Sequence, residues 1–493
     1  MKKETNSKNF YITTTLPYVN ADLHLGHALE FVRADVIARS KKLDGYEVFF
    51  NTGTDEHGLK IFKIAEEKGI DSQKYVDSFA PNFQRFIKEL GMMTDIHVVR
   101  TTDAHHMKAA QAFWQLCEKA GDIYKKAYKI KYCVGCELEK TDSELVDGKC
   151  PLHPHLTIEL IDEENYFFRF SKFQKTLLDL YEKNPKFVVP DSRFNEIKAF
   201  VGRGLEDFSI SRLASKMPWG VPVPGDDKQV MYVWFDALVN YISTLGWPEN
   251  TEQFEKFWVG GAPVQYCGKD NLRQQSAMWQ AMLISAGLTP THTIVIDGFV
   301  TGPGGVKMSK SLGNVINPYD IVAEFGTDAL RYFVLRELSP FEDSPFSIEQ
   351  FKQSYNANLA NGIGNLVSRI MKMATSNGVV SDENALASLE KDEAVKELDN
   401  EIKTGLENFN LQRSMNTIWK AISIADQEIQ SKQPFKIIKV DKVAGEEQIK
   451  RLLAWLKIIG RALQPFLPST SDKITEYLKE NKMPEAPLFM RRD

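Results

Sequence analysis

At 493 residues, 43% apolar and 26% charged, the chain is long enough to bury a sizeable core and to divide into roughly two to four domains. A net charge of −5 offers no global basic balance, so any nucleic-acid contact has to come from a local basic face. Five cysteines in so long a chain make no disulfide framework, no apolar run reaches about 18 residues, and MKKETNSKNF lacks the apolar core of a secretory leader, which together predict a reduced, cytoplasmic protein without a membrane partner.

In chain order, a β-branched run over residues 11–15 predicts a strand, Pro17 a turn, and His24-Leu25-Gly26-His27 the entry to a helix over 28–43 carrying Leu29, Val32, Val36 and Ile37 at helical spacing. Two imidazoles flanking a glycine at a helix start suit a nucleotide. Backbone N–H groups and the helix dipole favour phosphate, histidines donate to phosphoryl oxygens, and a glycine lets a flat base approach. Two histidines three apart can equally cap a helix, so HLGH alone leaves both readings open. Residues 46–51 predict the next strand. Asp55, in the TGTDEHG run at its carboxyl end, reads either as a carboxylate for an ammonium group or as a turn or cap ahead of a helix over 59–68. A strand over 97–100 and a helix over 104–121 follow.

From about 124 to 223 the pattern becomes strand and turn. Within it Cys133-x2-Cys136-x13-Cys150-x2-His153 supplies four ligands of the kinds tetrahedral zinc prefers, and four protein ligands leave no open position for water, so a metal here is expected to be structural. A redox pair or unrelated buried thiols are the alternatives. Cys117 and Cys267 stand apart from the motif and read as core. The α/β pattern resumes with a strand leading into a helix over 230–237, a strand over 264–267 followed by Gly268-Lys269-Asp270, a helix over 274–287 and a strand over 293–296. Lys307-Met308-Ser309-Lys310-Ser311 comes next, doubly cationic and hydroxyl-bearing, on an approach loosened by Gly302, Gly304 and Gly305. Beyond a connecting stretch with a helix over 328–335, everything reads helical: 356–374, 392–430, 446–463 and 469–480. Leu452, Trp455, Leu456, Ile459 and Leu463 form one apolar stripe of a bundle. Neither GxGxxG nor GxxxxGK[ST] occurs.

HLGH upstream of KMSKS resembles the signature of the class I aminoacyl-tRNA synthetases, and from about residue 10 to the C-terminus the chain is similar to their methionyl branch. The insertion of about a hundred residues is shorter than in the valyl, isoleucyl and leucyl relatives, which carry an editing domain there. The resemblance implies an α/β fold. A split Rossmann-like nucleotide-binding catalytic domain (1–123 and 224–316) would be interrupted by a zinc-binding connective domain (124–223), then followed by a connecting region (317–351) and a C-terminal α-helical anticodon-binding domain (352–493). It implies activation of methionine with ATP and transfer to tRNA(Met), with ATP, Mg²⁺ and one structural Zn²⁺, in a monomer without a C-terminal oligonucleotide-binding extension.

Residue by residue, the resemblance assigns phosphate contacts and catalysis to His24, Gly26, His27, Lys307, Met308, Ser309, Lys310 and Ser311, with Asp270 beside ATP. Arg212, in SISR, aligns with an arginine that reaches the triphosphate, although from sequence alone a surface cation is as good a reading. Asp55 would take the amino group of methionine, and Leu16, Tyr18, Trp234, Ala237 and Tyr241 its side chain. Gln275 departs from the family, which usually places histidine there, and Asn271 stands where an aliphatic is more common. Asn365 and Arg369, at i and i+4 on one helix, and Phe435 match the anticodon readers, with phenylalanine where tryptophan is frequent. Against that, Asn365 can cap locally, Arg369 can pair with a carboxylate and Phe435 can be core. Two rivals stand beside the enzyme. A catalytically silent tRNA-binding synthetase-like protein has no need of intact HLGH and KMSKS, and a small-molecule nucleotidylyltransferase leaves the zinc insertion and helical tail without purpose.

Overall fold

This computed structural model describes residues 8–20, 22–136, 138–305 and 316–492. The KMSKS residues Lys307, Met308, Ser309, Lys310 and Ser311 lie outside the described residues. The chain falls into two compact units, one from Met1–Leu23, Gly45–Arg85 and Thr94–Ile296, the other from His24–Asp44, Phe86–Met93 and Asp297–Asp493.

The first unit is built on a six-stranded sheet. Its strands are β1 (Asn9–Thr13), β2 (Glu47–Thr54), β3 (Ile96–Arg100), β4 (Val188–Val189), β5 (Val264–Gly268) and β6 (Thr293–Asp297), in the order β3-β2-β1-β5-β6-β4. β1 pairs in parallel with both β2 and β5, β2 with β3, and β6 with β4. Tyr11, Ile12, Thr13, Ile294, Val295 and Ile296 are wholly buried, as strands covered on both faces require. From β1 the chain order runs outward to β3 on one side and to the later strands on the other. The reversal falls between β1 and β5, where open α/β sheets form a ligand crevice outside the carboxyl ends.

Two expectations for the first unit need correction. The strand ending at Met231 is not part of this sheet: Asp226–Met231 pairs antiparallel with Ser211–Leu213 and Pro222–Val223 in a separate three-stranded sheet. The 124–223 stretch is not all strand and turn. Ile123–Cys133, Leu138–Lys140, Glu159–Phe168 and Phe208–Ser209 form an antiparallel sheet, but helices Gln174–Lys183 and Asp191–Gly202 lie in the same stretch and β4 between them joins the parallel sheet. Buried Leu177 and Tyr181, then Phe194, Ile197 and Val201, carry the helical spacing that drives these turns onto the core.

The second unit holds α1 (Leu25–Leu43) and the C-terminal helices, the longest being Leu411–Lys432 and Lys442–Leu463. The apolar stripe from Leu452 to Leu463 is buried as expected. A single helix over 392–430 is not formed. Phe409 adopts φ 57°, and Asn410 accepts the Arg413 N–H at 3.0 Å to start a second helix after Glu393–Glu407. Helix Glu383–Glu390, capped by Asp382, was not anticipated. A buried ion pair fastens α1 within this unit. Asp35 accepts from Arg331 at 2.8 Å, Arg39 at 2.7 Å and the Met93 N–H at 2.9 Å, while Arg331 also donates to the carbonyls of Leu90, Pro465 and Phe466. Among the described residues no helix is long and apolar enough to cross a membrane.

Candidate active site

HLGH opens α1 as a cap built from imidazoles. His24 is the N-cap in extended backbone, and its Nδ1 accepts the Gly26 N–H at 3.1 Å. His27 Nδ1 accepts the His24 N–H at 3.2 Å, and the rings stack with centroids 4.0 Å apart. The capping alternative is therefore true, and it serves the functional reading. With each Nδ1 an acceptor, a neutral ring carries its proton on Nε2. Burial, then the neighbouring His24, pushes the His27 pKa well below the ordinary 6.5, which keeps that ring neutral. A Cβ at Gly26 would come 3.0 Å from the His24 ring, so the space that glycine leaves is first taken by His24 itself.

In the first unit, of the residues expected around methionine, Leu16 and Tyr18 follow β1, Asp55 follows β2 and Gln275 lies in the helical segment after β5. Tyr18 and Asp55 form an isolated parallel bridge, with the Asp55 N–H on Pro17 O at 3.0 Å and the Val19 N–H on Asp55 O at 3.0 Å. Leu16 is partly buried on the same turn. Trp234 and Ala237 share the short helix Val233–Ala237, and Tyr241 follows, 2% exposed. Gln275, also 2% exposed, donates to Tyr241 Oη at 2.6 Å. Asp270 follows β5 on an exposed turn. The surface-cation reading of Arg212 fails: it is buried, donates to Ser209 Oγ and Ser211 O at 2.8 Å each, and lies 4.2 Å from the Tyr232 ring centroid.

Cys133, Cys136, Cys150 and His153 converge, with all four ligand atoms within 4.8 Å of one another. Cys136 Sγ lies 3.4 Å from Cys150 Sγ and 3.2 Å from His153 Nδ1, and Cys133 Sγ lies 3.8 Å from His153 Nδ1. A tetrahedron with Zn–S near 2.3 Å and Zn–N near 2.05 Å has edges of about 3.5–3.8 Å. The donor set and spacing fit zinc. Gly135 makes the fit possible, because a Cβ there would come 2.5 Å from the His153 ring.

In the second unit, Asn365 is exposed at the start of helix Asn365–Asn377. Arg369 on that helix pairs with Asp426, so the ion-pair alternative is realised. Phe435 is 42% exposed on the turn Pro434–Ile437, which rules out the core alternative.

The family model described as tRNA synthetases class I (M) matches residues 10–158 and 153–371. The chain belongs to the class I tRNA synthetases, in the methionine–tRNA ligase family. A methionine–tRNA ligase of Caldanaerobacter subterraneus subsp. tengcongensis is 40% identical over 481 residues, spanning 96% of this chain and 74% of the relative. One from Brucella suis biovar 1 is 38% identical over 479 residues, spanning 96% and 92%. Among solved structures, Mycobacterium tuberculosis methionyl-tRNA synthetase in complex with methionyl-adenylate superposes with a TM-score of 0.89 at 35% identity, covering 95% of this chain and 93% of that one. The free form of that protein gives 0.83 at 30% identity, covering 99% of each.

For a class I synthetase, sequence reasoning missed the polar scaffold next to Asp55. Glu56 is buried and accepts from Arg100 Nε at 2.7 Å, Thr54 Oγ1 at 2.6 Å and Thr102 Oγ1 at 2.5 Å. His57 Nδ1 meets Asp236 Oδ2 at 2.7 Å with both side chains buried, and Trp219 packs edge-on over His57 while donating to Glu56 O at 2.6 Å. The signal in TGTDEHG was slight: three ionisable residues in succession at a strand end, of which any that the fold buries needs a partner.

Proposed function

We propose that the chain joins methionine to tRNA(Met) in two steps, with the residues above in specific roles. The observation that supports this best is HLGH as an imidazole cap at a helix N-terminus, in a chain whose family model is that of the methionyl class I synthetases. ATP enters as its Mg²⁺ complex. A carboxylate oxygen of methionine attacks the α-phosphorus, the bond to the β-phosphate oxygen breaks, and pyrophosphate leaves. A hydroxyl of the terminal tRNA ribose then attacks the acyl carbon and AMP leaves.

His24 and His27 donate to phosphoryl oxygens, His27 from a ring that burial keeps neutral, and the α1 dipole favours the same charge. Lys307 and Lys310, with Met308, Ser309 and Ser311 beside them, follow charge on the β- and γ-phosphates, aided by Arg212; Asp270 adjoins ATP. Asp55 accepts the ammonium of methionine. Leu16, Tyr18, Trp234, Ala237, Tyr241 and Gln275 enclose its side chain, where contact of a thioether with aromatic faces selects by shape and dispersion. Cys133, Cys136, Cys150 and His153 hold a zinc ion that supplies folding energy to the 124–223 insertion. Asn365, Arg369 and Phe435 read the anticodon from the helical region 352–493, joined through 317–351 to catalytic segments 1–123 and 224–316. The enzyme works as a monomer in the cytoplasm.

Pyrophosphate exchange across the twenty amino acids tests this reading. Exchange with methionine alone is expected; none with any amino acid would leave the silent tRNA-binding protein. Lys310→Ala should lower exchange by about two orders of magnitude with little change in methionine binding, since it acts on charge that develops in the transition state.

A further inference from the structure

Arg33 lies on α1 six residues past His27, about 9 Å further along the axis at 1.5 Å per residue, and is 2% exposed. Its Nη1 donates to Asp297 Oδ1 and to Pro340 O at 2.9 Å each; its Nη2 donates to Ser339 O at 2.7 Å and Val334 O at 3.2 Å. Asp297 ends β6 and begins the run 297–305 that leads into the KMSKS residues.

That run is tightly held. A Cβ at Gly298 would come 2.2 Å from the Glu342 backbone, the Phe299 N–H donates to Asp343 Oδ1 at 3.0 Å, and Val300–Thr301 pairs in parallel with Ser344–Pro345. At the next described residue after the KMSKS segment, Ile316 O accepts the Leu25 N–H of α1 at 3.3 Å. One helix, the one HLGH opens, is therefore bonded to both described flanks of that segment.

The pair is a costly way to obtain stability. Arg33 Nε and Asp297 Oδ2 are buried without a hydrogen-bond partner among the described residues, and apolar side chains of similar volume would often stabilise a fold as well. A planar guanidinium does what they cannot: it fixes distance and angle between a carboxylate and several carbonyls at once.

We infer that Arg33 is a positioning residue for ATP use, its fork holding the HLGH helix and the Asp297 stem of the KMSKS segment at a set spacing. This rests on the synthetase reading above.

In the full chain, Arg33→Met is expected to lower kcat/KM for ATP in methionine-dependent pyrophosphate exchange by about 10–100-fold, the scale on which ångström misplacement acts. The methionine Kd, read from tryptophan fluorescence without ATP, should stay within about twofold. Arg33→Lys keeps the charge but not the fork and should retain most of the loss. Burial lifts the Asp297 carboxyl to about 6 against the pull of Arg33. The other ionisable side chains on segments meeting it are, on α1, His27, Glu30, Asp35 and Arg39, the last two paired with each other, and Lys41 and Lys42; then Arg336 and Glu337, which pair with each other, and Glu342 and Asp343. Wild-type kcat/KM for ATP should therefore fall on descending through about pH 6, and Asp297→Asn should remove that part of the fall. Equal loss of methionine and ATP affinity in Arg33→Met, or wild-type ATP kinetics in a folded variant, would overturn the inference. If Arg33→Met does not fold, an acid limb unchanged by Asp297→Asn overturns it instead. Absence of exchange in the wild type with every amino acid would strike the synthetase reading itself.

Discussion

Gln275 donates its amide Nε2 to Tyr241 Oη at 2.6 Å, and the orientation of that amide is fixed from behind. Gln265 Nε2 donates to Gln275 Oε1 at 3.2 Å, and Thr291 Oγ1 donates to Gln265 Oε1 at 2.5 Å. Gln280 closes the network, donating to Gln275 O at 2.8 Å and accepting the Thr291 N–H at 2.9 Å. Each buried polar group thus has its partner, and none of these amides titrates. Gln275→His introduces a ring with an ordinary pKa near 6.5, but at a position 2% exposed burial pushes that value down, as it does at His106, and holds the ring neutral. We expect methionine KM to change by less than about tenfold, because dispersion against Trp234 and Tyr241 dominates selection, and to gain no new dependence on pH around 6.5. Methionine KM measured in exchange between pH 5.5 and 8 checks both. Complete loss of methionine activation in a folded variant would mean that the pocket is built differently.

A second buried imidazole sets how the first unit responds to acid. His106 Nδ1 lies 2.9 Å from Ser243 Oγ, and burial, followed by the charges of His57 and His105, pushes its pKa down to about 3. Above the unfolded value near 6.5 the ring is neutral in both states. Between 6.5 and 3 the unfolded chain takes up a proton that the folded chain refuses, so stability present above pH 6.5 is lost as pH falls through that window. His106→Gln should be less stable than wild type at pH 7.5, and the gap should narrow by about 1.4 kcal/mol per pH unit below 6.5, or roughly 2 kcal/mol at pH 5. Urea melts at the two pH values decide it; a gap that does not change would show that His106 is not held neutral.

The metal cluster predicts an effect at a residue that binds nothing. Because a Cβ at position 135 would overlap the His153 ring, Gly135→Ala should push one ligand out of the tetrahedron while leaving all four in the sequence. Zinc affinity is expected to fall by about 10–100-fold, the usual scale for residues that orient ligands. Cys133→Ser should release the metal outright and loosen the insertion. Competition with a chromophoric chelator measures both, and wild-type affinity in Gly135→Ala would refute the steric argument.

What could be read from the sequence was whatever a short local pattern carries. The HLGH entry to α1, the Cys3His cluster and the burial of the Leu452 stripe depend on spacing along one element or one turn. What could not be read depends on partners distant in the chain. The strand ending at Met231 has the composition of a sheet core, and only its antiparallel pairing with Ser211–Leu213 reveals which sheet it joins. β4 is two residues long, too short to give a periodic signal, yet it forms the edge of the parallel sheet. Arg212 looks like any exposed cation until Tyr132 and Tyr232 cover it. The break at Phe409 was missed because helical spacing continues on both sides of three residues that leave the helix.

The last prediction concerns how a chain of net charge −5 reads RNA. Gln433 ends helix Leu411–Lys432 in left-handed backbone, φ 47°, and so directs Pro434 and Phe435 away from the helix axis. Phe435 is left 42% exposed, with Lys436 Nζ 6.0 Å from its ring centroid. An exposed ring contributes little to the fold, since surface substitutions usually change stability by no more than about 0.5 kcal/mol. The same ring stacked on a splayed anticodon base is worth roughly 1–3 kcal/mol. Phe435→Ala should therefore lower aminoacylation of tRNA by about one to two orders of magnitude, while pyrophosphate exchange, which needs no tRNA, stays near wild type. Phe435→Trp, which keeps the stacking face and adds an indole N–H, should hold or improve aminoacylation. Equal damage to both reactions in Phe435→Ala would assign the ring to the fold, and intact aminoacylation would place anticodon recognition elsewhere.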